Sequence, residues 1–154
     1  MMGSRSGNGA GAVDDDLLAE SHLVRALAVA DARAVLTDLV DLFSRGAQWH
    51  RALDAAFELL SEVRRRGEPA GETLLLIGEI MLRASRFPAA VIYLDRAEQA
   101  LGARLDLAVA LARAHQGMGS AGPARRHLHR ALAMAVDVDD DAAARVRALL
   151  RSTG

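Results

Sequence analysis

The residues best suited to chemistry in this 154-residue chain are its five histidines: His22, His50, His115, His127 and His129. His127 and His129 lie two residues apart, which is about 200° around a helix, so they cannot share a metal ion. The sequence contains no His-Glu-x-x-His arrangement and no matched pair of catalytic carboxylates. We therefore predict no metal site and expect most of the histidines to face solvent.

An acidic run near the C-terminus has the spacing that begins a calcium-binding loop. Its alternate residues are Asp137, Asp139 and Asp141. Such a loop requires glycine where Ala142 stands and glutamate where Ala148 stands. We interpret the run instead as the cap and the dipole partners of a final helix.

Other catalytic and cofactor motifs are absent from the sequence. The Gly117-Met118-Gly119 segment lacks the lysine and the preceding strand of a phosphate-binding loop. The lack of cysteine excludes disulfides, thiolate catalysis and cysteine–zinc sites. The arginine clusters at 64–66 and 125–126 are interpreted as solvated surface, with phosphate binding as the alternative. Because no nucleophile, base and orienting group can be assembled, we predict no enzyme activity and no cofactor.

Composition indicates a soluble globular protein, with 51% hydrophobic and 25% charged residues. All nineteen basic residues are arginine, but twenty acidic residues leave a net charge of −1, which argues against a nucleic-acid partner. No run approaches the about 18 apolar residues of a membrane span. Residues 1–13 also lack the apolar centre of a signal peptide, so we expect a cytoplasmic protein without a membrane partner.

The elements that must position any site are helices. From Asp14 onward, apolar residues recur at steps of three and four, and strand-type alternation is absent. We predict a flexible tail over residues 1–13 and a single helical domain over 14–152. The pattern indicates about eight helices, the first over 15–30 and the second capped by Asp31. Glycine and proline mark most of the later boundaries.

A period of 34 residues links the central helices. Gly78, Ala90, Leu94 and Ala97 recur as Ala112, Ala124, Leu128 and Ala131. This pattern resembles the tetratricopeptide repeat (TPR) family over residues 32–136, with a divergent first unit around Trp49. The resemblance implies an all-α, right-handed superhelical stack of antiparallel helix pairs. The expected repeats are 32–66, 71–102 and 105–136, with capping helices at both ends, the last over 140–151.

Close packing is the physical reason for small residues at these positions. Glycine inside a helix costs about 1 kcal/mol relative to alanine, which is sensible at Gly78 if a second helix lies against it. The alternative is a helical bundle in which the period arises by chance. If the register is right, arginine at Ala90 or Ala124 should unfold the chain.

The resemblance also implies a concave groove lined by the first helix of each pair. The expected groove residues are Thr37, Asp38, Asp41, Arg45, Glu72, Leu75, Leu76, Glu79, Leu82, Arg83, Asp106, Val109, Ala110, Arg113 and Gln116. The lysines and asparagines with which some family members clamp acidic chaperone tails are absent at the matching positions. The apolar centre, Leu75, Leu76 and Val109, suits an amphipathic helix or an extended peptide. Alternatively, Leu75 or Leu76 packs under the N-terminal helix.

These observations predict a protein–protein interaction module, an adapter or scaffold that binds a peptide or helix of another protein. Size and repeat count also resemble the small TPR chaperones of bacterial type III secretion, which hold an aggregation-prone partner before export. A third hypothesis is a regulatory or dimerisation module of a transcription-linked system. Divergent end repeats leave a homodimer open.

Overall fold

The computed structural model describes residues 17–25 and 32–154 in full, and of residues 2–16 and 26–31 it describes only their place in a helix. The predicted flexible tail, residues 1–13, lies outside the fully described residues, and that prediction stays open. The chain divides into two compact units, Met1–Val35 and Leu36–Gly154. In the first unit, the described side chains are exposed, including Leu17, Leu18, Leu23 and Val24.

Residues 2–154 contain seven helices and no strand. The helices are α1 (Met2–Arg45), α2 (Trp49–Arg65), α3 (Gly71–Arg83), α4 (Phe87–Leu101), α5 (Leu105–Gly117), α6 (Ala121–Ala135) and α7 (Asp140–Ser152). The all-helical prediction is confirmed, but the expected count of eight is wrong, since the first two predicted helices both belong to α1. The sequence around Asp31 is rich in alanine and holds no glycine or proline, so nothing there stops a helix.

Within Leu36–Gly154, consecutive helices pack as a stack of antiparallel pairs. The closest partners are α3 with α4 and α5 with α6, while α2 packs on α3, α4 on α5 and α6 on α7. This arrangement follows from short connections between helices that each bury one apolar face. The predicted helical repeat stack is therefore confirmed.

The repeat positions form the core of this unit. The alanines at positions 90, 97, 124 and 131 have no exposed surface, and neither have Leu94 and Leu128. At Gly78 a methyl group would lie 2.6 Å from the Leu94 Cδ2 atom. A second helix thus lies against Gly78, as the sequence predicted.

Helix α5 is shared between two parts of the core. Ala110, Leu111 and Ala114 pack toward α3 and α4, whereas Ala108 and Ala112 pack with residues of α6 and α7. Because both sides of α5 are occupied, its position between α3 and α7 is fixed. The last helix begins as expected, since the Asp139 carboxylate accepts a hydrogen bond from the Ala142 N–H at 3.0 Å.

Candidate functional site

A cavity with a volume of about 600 Å³ lies between α3, α5 and α7. We call it the main cavity. Its lining is mostly apolar, with charged side chains among the apolar ones. The lining residues are Glu79, Leu82, Arg83, Phe87, Leu105, Asp106, Val109, Ala110, Arg113, Gly117, Ala142, Arg145, Val146 and Leu149.

A smaller cavity of about 360 Å³, here the side cavity, lies between α3 and the part of α1 that belongs to the second unit. Its lining residues are Thr37, Asp38, Val40, Asp41, Ser44, Leu76, Glu79, Ile80 and Arg83. Glu79 and Arg83 line both cavities, so the two are neighbours along α3. Together they form one groove, lined by the first helices of successive pairs.

Most of the predicted groove residues meet at these two cavities. The main cavity gathers Glu79, Leu82, Arg83, Asp106, Val109, Ala110 and Arg113. The side cavity gathers Thr37, Asp38, Asp41 and Leu76. The structure therefore brings most of the predicted residues together at these two cavities. Whether these side chains bind a partner stays a prediction.

Leu75 is a correction to the predicted set. Its side chain is only 5% exposed and belongs to the core cluster that includes Val40. Leu76 is half-buried and lines the side cavity. Successive residues on a helix point about 100° apart, and on α3 Leu76 turns toward the side cavity while Leu75 turns into the core. The alternative weighed from the sequence, in which one of these leucines packs inward, holds for Leu75.

Three further predicted residues line neither of the two cavities. Arg45 forms an ion pair with Asp41, one turn earlier on α1. Glu72 accepts a hydrogen bond from Arg104. The Gln116 amide donates to the Thr153 hydroxyl and lines a separate cavity near the C-terminus. These residues brace neighbouring helices or one helix turn instead of lining the groove.

Sequence reasoning missed the contribution of α7. This helix was expected only to cap the stack, but Ala142, Arg145, Val146 and Leu149 form one wall of the main cavity. The sequence did contain evidence for this role, because the 34-residue period extends into α7. Ala142 and Val146 lie 34 residues after Ala108 and Ala112 of α5. Helix α7 thus occupies the place of a first helix in a fourth pair.

Charged side chains on α3 and at the start of α5 interact with one another through hydrogen bonds and electrostatics. Arg104 donates two hydrogen bonds to Asp106, at 3.1 and 2.7 Å, and a third to Glu72. The hydrogen bonds to Asp106 and Glu72 raise the pKa of Arg104. Burial and the nearby Asp106 carboxylate raise the pKa of Glu79, while Arg83 opposes that change. Partial burial of Glu79 therefore disfavours the charged form of its carboxyl group.

The expectation that most histidines face solvent is only partly right. His22, His50 and His129 are exposed, but the rings of His115 and His127 stack between α5 and α6 with centroids 5.4 Å apart. The Nδ1 atoms of both rings are buried and have no hydrogen-bond partner among the described atoms. Burial and the adjacent His115 lower the pKa of His127. The fully described residues contain no group of three side chains that could hold a metal ion.

The fold defines a small protein built from a stack of helix pairs, with an open groove on the side of the first helices. No family model matches the chain, and no curated protein matches it. Solved structures do match, and two structures of PcrH are among them. PcrH in complex with the chaperone binding region of PopD is 17% identical with a TM-score of 0.69, covering 80% of this chain and 91% of that one.

PcrH from Pseudomonas aeruginosa is 16% identical with a TM-score of 0.67, covering 80% and 92% of the two chains. At these identities the likeness shows the fold alone. It supports the helical repeat stack across most of this chain. As a separate finding, no helix in the described part of the chain is long and apolar enough to cross a membrane.

Proposed function

We propose that this chain is a TPR-type interaction module that binds an extended or helical segment of another protein in its groove. The observation that carries the proposal is the main cavity, about 600 Å³ in volume and open between three helices that are not consecutive in sequence. Its size falls within the range of about 300–1,000 Å³ that is common for ligand pockets. A site of this kind suits a few side chains of a bound segment.

The apolar lining gives the energetic reason for binding. Leu82, Val109 and Leu149 are only half-buried although they face a concave surface. Covering apolar area contributes about 25 cal/mol per Å² removed from water, before the cost of ordering the bound segment is subtracted. A partner with apolar side chains at suitable spacing would gain most of its affinity here.

The chaperone version of this function has one specific observation in its favour. The similar PcrH structure holds the chaperone binding region of PopD. By analogy, the groove here would hold an exposed apolar segment of a partner and keep it from aggregating. We place this binding in the cytoplasm, as the sequence predicted. We also propose that the chain belongs to the TPR family. The homodimer that the sequence left open stays a prediction.

The test compares three tagged proteins expressed in the native host and isolated with their partners. One is the wild type, the second carries Leu76→Arg and Val109→Glu, and the third carries Ile92→Glu. The first two substitutions place charge in the side and main cavities. Ile92 is exposed on α4 and lines neither cavity, so it controls for a change from apolar to charged surface.

We expect a protein that co-purifies with the wild type and the Ile92→Glu protein and is lost from the groove variant. All three must first show the same helical circular dichroism and thermal melting. Retention of the same partners by the groove variant would place binding elsewhere. Recovery of no partner by any of the three would contradict the interaction function itself.

A further inference from the structure

The charges along the groove are not evenly distributed. The main cavity is lined by three arginines, Arg83, Arg113 and Arg145, and by two carboxylates, those of Glu79 and Asp106. In the side cavity the balance is reversed. Asp38, Asp41 and Glu79 line it together with a single arginine, Arg83.

Several of these charges interact with an opposite charge of the protein itself. Asp106 is held by Arg104, and Asp41 is paired with Arg45. Glu79 and Arg83 lie one turn apart on α3 and interact electrostatically. These groups therefore contribute little net charge to a partner, and the groove centre is close to neutral.

Unpaired charges remain at the two ends. Within the described part of the chain, Arg113 on α5 and Arg145 on α7 form no ion pair, and both are exposed where they line the main cavity. At the other end, Asp38 on α1 is exposed, and among the described residues it too forms no ion pair. The groove is therefore positive at the α5–α7 end and negative at the α1 end.

We infer that the groove binds a charged segment of its partner in one orientation. That segment has Asp or Glu at the α5–α7 end, apolar side chains in the middle and Lys or Arg at the α1 end. The inference rests on the proposed function and names the chemistry of its partner. A charge covered by an uncharged segment loses water without gaining a partner, so a matching charge is favoured at each end. Arginine adds geometric selectivity, because its guanidinium group can donate two parallel hydrogen bonds to one carboxylate.

The inferred charge pattern also disfavours the opposite alignment of the bound segment. A segment bound in reverse would place its acidic end beside Asp38 and its basic end beside Arg113 and Arg145. Like charges at both ends oppose that orientation, while the apolar middle tolerates either one. The end charges thus select one alignment for a segment whose apolar contacts alone would permit two.

The test selects displayed random peptides, each about twelve residues long, on the purified wild-type chain of residues 1–154. Consensus peptides are then synthesised with a fluorescent label, and their affinity is measured by fluorescence anisotropy. The test variant carries Arg113→Glu and Arg145→Glu. The matched control carries Arg125→Glu and Arg126→Glu, which makes the same change in net charge at exposed positions of α6 that line neither cavity.

We expect selected peptides with acidic residues toward one end and basic residues toward the other, around an apolar middle. The test variant should bind them about tenfold more weakly than the wild type in low salt, with a smaller difference in high salt. The control variant should bind like the wild type. A peptide whose acidic residues are replaced by lysine should in turn prefer the test variant.

Two outcomes overturn the inference, and they are distinguishable. In the first outcome, the selected peptides compete with one another for binding but show no charge asymmetry, and they bind the test variant as tightly as the wild type. This result refutes the charge pattern and leaves groove binding intact. If selection yields no peptide that binds the wild type more tightly than the Leu76→Arg, Val109→Glu protein, groove binding of peptides fails and the inference fails with it.

Discussion

At the scale of single residues, the stacked His115 and His127 rings are the feature furthest from the sequence-based expectation. They are twelve positions apart and lie on different helices. Spacing within one helix, which correctly separated His127 from His129, contains no information about a contact between α5 and α6. Only the packing of those helices brings the rings together and leaves their Nδ1 atoms buried.

The lowered pKa of His127 predicts how the free energy of unfolding depends on pH. The pKa of His127 is lowered by burial and by His115 and Arg130, with Glu98 and Asp95 opposing. The unfolded chain therefore binds the proton more readily than the folded one. Stability should decrease as the pH falls through about 6.5, the ordinary histidine pKa, and continue to do so down to the lower pKa of the folded state.

Urea unfolding at a series of pH values between 7.5 and 5.5 measures this effect. We expect His127→Gln to reduce the slope of unfolding free energy against pH. His129→Gln, which alters an exposed histidine on the same helix, should keep the wild-type slope. Equal slopes in the wild type and the His127→Gln protein would show that the pKa of His127 does not differ between the folded and the unfolded chain.

At the scale of helices, the close approach of α3 to α4 determines which residues the repeat can tolerate. The absence of a side chain at Gly78 leaves room for Leu94, which is fully buried. Gly122 on α6 offers a matched comparison. A methyl group there would have only the Arg126 guanidinium within 4 Å, at 3.8 Å.

We predict that Gly78→Ala and Gly122→Ala differ in unfolding free energy by about 1–3 kcal/mol, the usual range for overpacking a core. Each substitution gains up to about 1 kcal/mol of helix propensity, so Gly122→Ala should be neutral or stabilising. In Gly78→Ala that gain is offset by the displacement of Leu94. Urea denaturation of both variants measures the difference. Equal stabilisation of both proteins would mean that α3 and α4 are not tightly packed at this point.

The helix faces also show how far the sequence could determine the site. The alanine and leucine positions of the 34-residue period predicted which faces are buried, because small and large residues at fixed spacing pack only in one register. The choice between Leu75 and Leu76 was not determined, since a helix face is wider than one residue. The groove role of α7 was missed because its sequence was interpreted as a cap.

At the scale of the whole molecule, every buried core residue that the structure describes and both groove cavities belong to Leu36–Gly154. Among the residues whose burial the structure describes, Val40 is the first that is buried in the core, and the described side chains before Leu36 are exposed. The repeat register begins the first unit at residue 32, close to this division, but the helical period continues across it without a glycine or proline and so does not mark the boundary itself. Burial, which depends on contacts between distant residues, marks where the stack begins.

Two shortened chains test this division. Residues 32–154 alone should unfold cooperatively, with a free energy within about 1 kcal/mol of the full chain, since no described core residue is removed. That chain should also bind the selected peptides as the full chain does. Residues 1–138, which lack α7, should be destabilised by about 2 kcal/mol or more through loss of the buried Val146. They should also lose peptide binding, because one wall of the main cavity is gone.

Circular dichroism during urea denaturation and fluorescence anisotropy with the same labelled peptide measure both properties. The two deletions differ in what they remove: one takes mostly exposed helix, the other a wall of the core and of the groove. If the 32–154 chain unfolds without cooperativity, the N-terminal residues contribute to the core and the stack does not begin at Leu36. If the 1–138 chain keeps full peptide affinity, binding does not use the surface between α3, α5 and α7. If the 1–138 chain loses stability and peptide binding and the 32–154 chain keeps both, the two properties belong to the same part of the molecule, namely the end of α1 and helices α2 to α7.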